Sequence, residues 1–219
     1  MKIIKKVMEL EKNDKTMLFL IFTTLVNIFI AMVKFVFAII IPSQWFAINA
    51  GFLIVLSLAR FFSIKNYGKQ RIISDEKIKK RIGYKNYLNN GILLILLGIM
   101  YFFVSVYMYY RGTNTNLHEY LTYLVALNAF WSISWAIYGM AKYKRKSSPI
   151  LKAVKITNFA NALTSIDLTQ VVILDTYAKE YDLANVNGYT GMAVSLAIIG
   201  MGLYMIINIQ QCIEDETSR

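Results

Sequence analysis

The chain has 219 residues, 57% of them hydrophobic and 17% charged, with two prolines and a mean hydropathy of +0.46. That composition excludes an ordinary soluble domain and makes lipid the natural solvent. The net charge of +11 invites a nucleic-acid reading, but the basic residues stand between apolar runs, where membrane topology requires them, so no nucleic-acid partner is expected.

Six apolar runs near or above the roughly 20 residues needed to cross hydrocarbon follow one another at 17–41, 45–64, 91–110, 120–140, 157–176 and 188–209. Each must be a helix, because an open strand in lipid would leave its peptide groups unsatisfied. The first run, about 25 residues long, exceeds a signal-peptide core and is followed by no small-residue cleavage pattern, so it is expected to remain. The predicted fold is all-α: one polytopic membrane domain of six transmembrane helices over 17–209, preceded by a basic cytoplasmic segment 1–16, interrupted by a basic cytoplasmic loop 65–90 and followed by a cytoplasmic tail 210–219.

Orientation rests on Lys and Arg. Lys2, Lys5, Lys6, Lys12 and Lys15 precede the first run. Eight more, from Lys65 to Lys85, follow the second, and Lys142, Lys144, Arg145 and Lys146 follow the fourth, whereas the alternate loops hold only Arg111 and Lys179. The positive-inside bias therefore predicts both termini in the cytoplasm of a multi-pass cell-membrane protein.

Pro42 and Ser43 are expected to form a tight outer turn, and residues 111–116 the next one, each closing an antiparallel helical hairpin. Tyr107, Tyr109, Tyr110, Tyr120 and Tyr123 crowd one boundary as an aromatic belt would. The third outer loop carries Glu180 and Asp182 and reads as solvated. Residues 74–90 read as a basic helix that Ser74 can cap, with Ile78, Ile82 and Leu88 on one face; it either lies on anionic lipid at the cytoplasmic surface or extends the third span inward.

Ionisable groups within a span are costly and hence functional candidates. Lys34 in the first run and Asp167 in the fifth stand out, at depths that would let them pair. A paired Lys and Asp neutralise each other, while an unpaired carboxyl can carry a proton. The fifth run is unusually polar. Thr157, Asn161 and Thr164 share one row and Asn158, Ser165 and Thr169 an adjacent one, so much of this helix must face protein or water. Asn27, Asn49 and Asn128 add polar groups on other spans, which could glue helices together or bind a solute. Ala193, Ala197, Gly200 and Gly202 would let the sixth helix approach a neighbour closely. The single cysteine, Cys212, allows no disulfide framework and no cysteine metal cluster.

The segment NIFIAMVKFVFAIIIPSQWFAINA, residues 27–50, resembles the first helical hairpin of the cation diffusion facilitator family of zinc and manganese exporters, through Asn27, Lys34, Ser43 and Ala50. Tyr67 and Gly68 look like the Tyr-Gly of that family's following loop, and residues 147–154 like the approach to its fifth helix. The resemblance implies a six-span exporter scaffold with a transport site between its second and fifth helices. The corresponding positions here are Phe52 and Leu56 on the second, Thr157 and Asn161 on the fifth. Phe and Leu cannot ligate a cation, and two neutral oxygens cannot hold zinc, so no metal site is expected. The family's cytoplasmic metal-binding domain has no counterpart in the tail.

Together these features predict a transporter-like protein handling a small solute or proton, with Asp167, Asn161, Thr157, Asn27 and Lys34 along its path and no cofactor. Two alternatives stay open: a non-transporting scaffold that binds another membrane protein or a second copy of itself, and a substrate-capturing subunit of a vitamin importer. No nucleophile and base share one side of the membrane, and the lone histidine, His118, stands beside Glu119 near a boundary, so no enzyme is predicted.

Overall fold

The computed structural model describes residues 21–22, 24–26, 28–33, 35–36, 44–112, 119–142, 148–177 and 184–217. Asn27, Lys34, the Pro42–Ser43 turn, residues 113–116, His118, Glu180 and Asp182 lie outside the described residues. The described chain is helical and contains no strand. A short apolar helix α1 (Thr24–Val33, Asn27 apart) is followed by α2 (Gln44–Ile72), α3 (Glu76–Arg111), α4 (Glu119–Lys142), α5 (Pro149–Tyr177) and α6 (Ala184–Thr217).

Among the described residues, three helices are long and apolar enough to cross a membrane: α2 over Ile48–Gln70, α3, and α6 over Asn185–Ile209. The distribution of side chains is that of a membrane protein. Met100, Phe103, Leu127 and Phe130 are each about two-thirds exposed, while Thr157, Asn86, Arg60 and Asp167 are buried, the inverse of a protein that folds in water.

The helices reach beyond the apolar runs. Within the segment 65–90, α2 continues to Ile72, residues 73–75 are not helical, and the basic helix expected over 74–90 is the first part of α3, the alternative in which it extends the third span. The cap is Asp75 rather than Ser74. Its backbone is extended, its side chain accepts from the Lys77 N–H at 2.8 Å, and Glu76 in the first turn favours the positive end of the helix. The inward face of this basic stretch is Gly83, Asn86, Tyr87 and Asn90 rather than Ile78, which is exposed. At its other end α3 stops at Gly112, whose φ of 74° few side chains tolerate and whose N–H bonds Met108 O at 2.8 Å. Pro149 opens α5 at the position where a missing N–H costs nothing, and Ser148 Oγ accepts from the Leu151 N–H at 3.4 Å.

α3 packs most extensively on α6, and among the described residues it makes no packed contact with α4, although the two are consecutive. Glycines set that approach. A Cβ at Gly202 would lie 2.7 Å from Gly91 O, and one at Gly98 would lie 2.6 Å from Ile199 Cγ1; one at Gly191 would collide with Ser105 Oγ. Of the small residues expected to serve this contact, Gly202 does. Gly200, Ala193 and Ala197 point outward, and a Cβ at Gly200 would meet nothing within 4 Å. Small residues occur on both faces of α6, so spacing alone does not say which face turns inward.

α5 contacts α2, α3, α4 and α6 and is buried around most of its girth, from Ile150 to Val172. A central helix has no single outward face, which is why its sequence shows no amphipathic stripe.

The tyrosine belt takes shape at one end of the bundle. Tyr107, Tyr110, Tyr120 and Tyr123 are exposed. Tyr109 packs edge-on against both Tyr110 and Tyr189, and the Tyr177 hydroxyl donates to Tyr123 at 2.9 Å.

Candidate functional site

Asp167 is 1% exposed. The Tyr101 hydroxyl of α3 donates to its Oδ2 at 2.6 Å, a short hydrogen bond. Tyr101 is held in turn by Phe52 of α2, edge-on with ring centroids 5.7 Å apart. One turn further along α3, Ser105 donates to Tyr101 O at 2.8 Å and lies against Gly191 of α6. A Cβ on Gly191 would come within 3.6 Å of Asp167 Oδ2, so α6 approaches the carboxylate backbone-first. Four helices thus enclose one carboxyl group. Its second oxygen, Oδ1, has no hydrogen-bond partner among the described residues.

The buried hydroxyls of α5 differ from its buried amide, Asn161. Thr157, Thr164, Ser165, Thr169 and Thr176 each donate to a carbonyl three or four residues back in the same helix, which lets a hydroxyl be buried without an outside partner. Thr157, 1% exposed, is satisfied in this way. Asn161, 5% exposed, is not: its Oδ1 is buried with no partner among the described residues.

On α2, Arg60 is 2% exposed, and both Nε and Nη2 lack hydrogen-bond partners among the described residues; so does Ser57 Oγ, one turn earlier. Register places these groups together. Phe52 meets Tyr101 at the level of Asp167, while Tyr67 packs on Ile150 and Val154. Arg60, midway between Phe52 and Tyr67, therefore falls opposite the middle of the 154–167 stretch, where Thr157 and Asn161 lie. Eight residues of helix, about 12 Å, separate its level from that of Asp167. Sequence reasoning singled out Asp167 and Asn161 but passed over Arg60, Ser57 and Tyr101. The signal for Arg60 was present as a guanidinium inside the second apolar run.

A second polar cluster contrasts with this one. Asn66 Nδ2 donates to Asn86 Oδ1 at 2.9 Å, and Asn86 and Asn90 Nδ2 donate to Ser63 Oγ at 3.1 and 3.2 Å. Asn90 Nδ2 also reaches Asn86 O at 2.7 Å, and Ser63 passes its own proton to Ala59 O at 3.0 Å. This network joins α2 to α3 with its members mutually satisfied, as interhelical glue should be. Ser57 Oγ, Arg60 Nε and Nη2, Asn161 Oδ1 and Asp167 Oδ1 are instead buried without partners among the described residues, and unmet buried donors and acceptors are the exception that calls for a water, an ion or a ligand. A carboxyl with one oxygen held and one open can accept from a solute or exchange a proton. A guanidinium with an open edge can hold an oxyanion.

The sequence matches no protein-family model, and no curated protein matches it.

Proposed function

We propose that this protein is a six-span carrier of the cell membrane, with both termini in the cytoplasm, and that it moves a small polar solute or a proton past Asp167. The observation that carries the reading is the enclosed carboxyl: Asp167 is held on one oxygen by Tyr101 and open on the other, at the meeting of four helices. An ionised carboxylate at the bilayer centre costs about 3 kcal/mol or more without relief, and the neighbouring hydroxyls of Tyr101 and Thr190 relieve only part of that. A group kept at this cost serves binding or proton transfer. The six apolar runs and the Lys and Arg asymmetry support the topology.

The test uses proteoliposomes loaded with a pH-sensitive dye, driven by solute or pH gradients. Wild type is expected to show flux above empty vesicles, and Asp167→Asn, which keeps the shape and loses the titratable proton, is expected to abolish it. Equal flux in the two would remove Asp167 as the working group. For topology, tags after Arg219 and within 77–85 should be protected in intact cells and a tag at 113–116 accessible. Accessibility of the last only in broken cells would overturn the orientation.

A second reading has one observation in its favour. The outward row Ala193, Ala197 and Gly200 on α6 is a small-residue stripe of the kind that packs against another membrane helix. A membrane partner or second copy would then cover it. Ala197→Phe blocking a co-purified assembly while leaving flux untouched would establish the partner and keep the carrier.

A further inference from the structure

We propose that the solute enters the α2–α5 interior through an oxyanion, a carboxylate or phosphate group on a small molecule, and that Arg60 is the residue that binds it. The inference rests on the carrier reading and names its substrate class. Nε and Nη2, the two atoms left without partners, flank one edge of the guanidinium. Their N–H bonds run parallel, the fork that meets two oxygens of a carboxylate or phosphate. The open hydroxyl of Ser57, one turn away on the same face, supplies a third donor.

No carboxylate of the chain neutralises this guanidinium among the described residues. Asp167, the buried acid, is engaged by Tyr101 about 12 Å away along the axis. A cation that is 2% exposed cannot have its charge solvated by snorkelling to a boundary, and burying it unpaired is costly. An anion brought by the ligand removes that cost. The acceptors Asn161 Oδ1 and Asp167 Oδ1 lie to one side of Arg60 along α5. They suit N–H or O–H donors on the same solute, so the ligand carries its anionic group toward Arg60 and its donors toward Asp167.

The experiment measures thermal unfolding of the full-length protein in an uncharged maltoside detergent and a chloride buffer. Sodium phosphate and sodium succinate are titrated against sodium chloride at matched ionic strength, and phosphatidylglycerol is added in a separate arm. Wild type should show a melting midpoint that climbs with the logarithm of anion concentration. Arg60→Lys, which keeps the charge and loses the fork, should weaken the apparent affinity on the order of tenfold. Arg60→Leu should lose the response while melting, ligand-free, at or above wild type, because the unpaired cation is gone.

A shift produced only by phosphatidylglycerol and lost in both Arg60 variants assigns the oxyanion to a lipid phosphate at the same site. No wild-type shift beyond chloride in either arm, or equal shifts in wild type and Arg60→Lys, overturns the proposal. If Arg60→Leu does not fold, Arg60→Lys and Ser57→Ala decide it, both being expected to weaken the shift. Absence of wild-type flux above empty vesicles with the shift intact overturns the carrier reading alone, and Asp167-dependent flux without any Arg60-dependent shift overturns this proposal alone.

Discussion

Removing the Tyr101 hydroxyl tests whether the Asp167 carboxyl is ionised in its enclosure. Tyr101→Phe preserves the ring that packs on Phe52 and deletes one donor from a group that is 1% exposed and whose Oδ1 has no hydrogen-bond partner among the described residues. A neutral side-chain hydrogen bond within a membrane protein is worth about 0.6 kcal/mol in double-mutant cycles, with a ceiling near 1.7. A bond to a charged group is worth about 1.5–3 kcal/mol. With an ionised carboxyl, and with the neutral Tyr101–Asn bond that remains in the Asn background subtracted, the coupling expected is about 1 kcal/mol or more. The assay is a cycle of wild type, Tyr101→Phe, Asp167→Asn and the double variant, each unfolded at equilibrium in mixed micelles. Asn keeps an acceptor for the Tyr101 hydroxyl but no charge, so its single-variant cost should stay near 1 kcal/mol. A coupling below about 0.5 kcal/mol would refute an ionised, Tyr-held carboxylate and with it the electrostatic part of the site.

Two further variants probe the scaffold. Gly202→Ala places a methyl 2.7 Å from Gly91 O and 3.0 Å from the Ile95 nitrogen, neither of which can move without the backbone. It should destabilise by about 1–3 kcal/mol, whereas Gly200→Ala, two residues away in open space, should be neutral or stabilise by up to about 1 kcal/mol through helix propensity; equal effects in unfolding would refute the assigned α6 face. Ser63→Ala strips the shared acceptor from Asn86 and Asn90 and should cost about 1–3 kcal/mol without changing solute flux. A loss of flux at full stability would move that network from glue to pathway.

How much was legible from residues alone differed from element to element. Helices were readable because a continuous apolar run of about 20 residues has one solution in lipid, and five of the six runs correspond to the long helices α2 to α6. Helix ends were less so: hydropathy stops where hydrocarbon stops, but a capped helix continues past it, as α3 does to Asp75. Asp167 was legible because a carboxyl deep within an apolar run has no cheap alternative to an interior position. Tyr101 was not, since tyrosines crowd this chain and only the fold sets one of them against the carboxyl. Asn86 and Asn90 sit among basic residues that read as a surface helix, and their burial became visible only once Ser63 of α2 stood opposite them.

The sequence by itself determined that the chain is helical, that its solvent is lipid, and that one buried acid must be accommodated, because those outcomes follow from the cost of exposing peptide groups and charges to hydrocarbon. Only the tertiary structure decided which side of each helix turns inward. In water the hydrophobic effect writes that choice into the pattern of apolar residues. In lipid both sides of a helix meet apolar surroundings, so the choice falls to shape and hydrogen bonding. Gly202 facing Gly91 while Gly200 faces outward, and Arg60 turned into the bundle with an open edge, are consequences of contacts between residues far apart in the chain, and no local pattern encodes them.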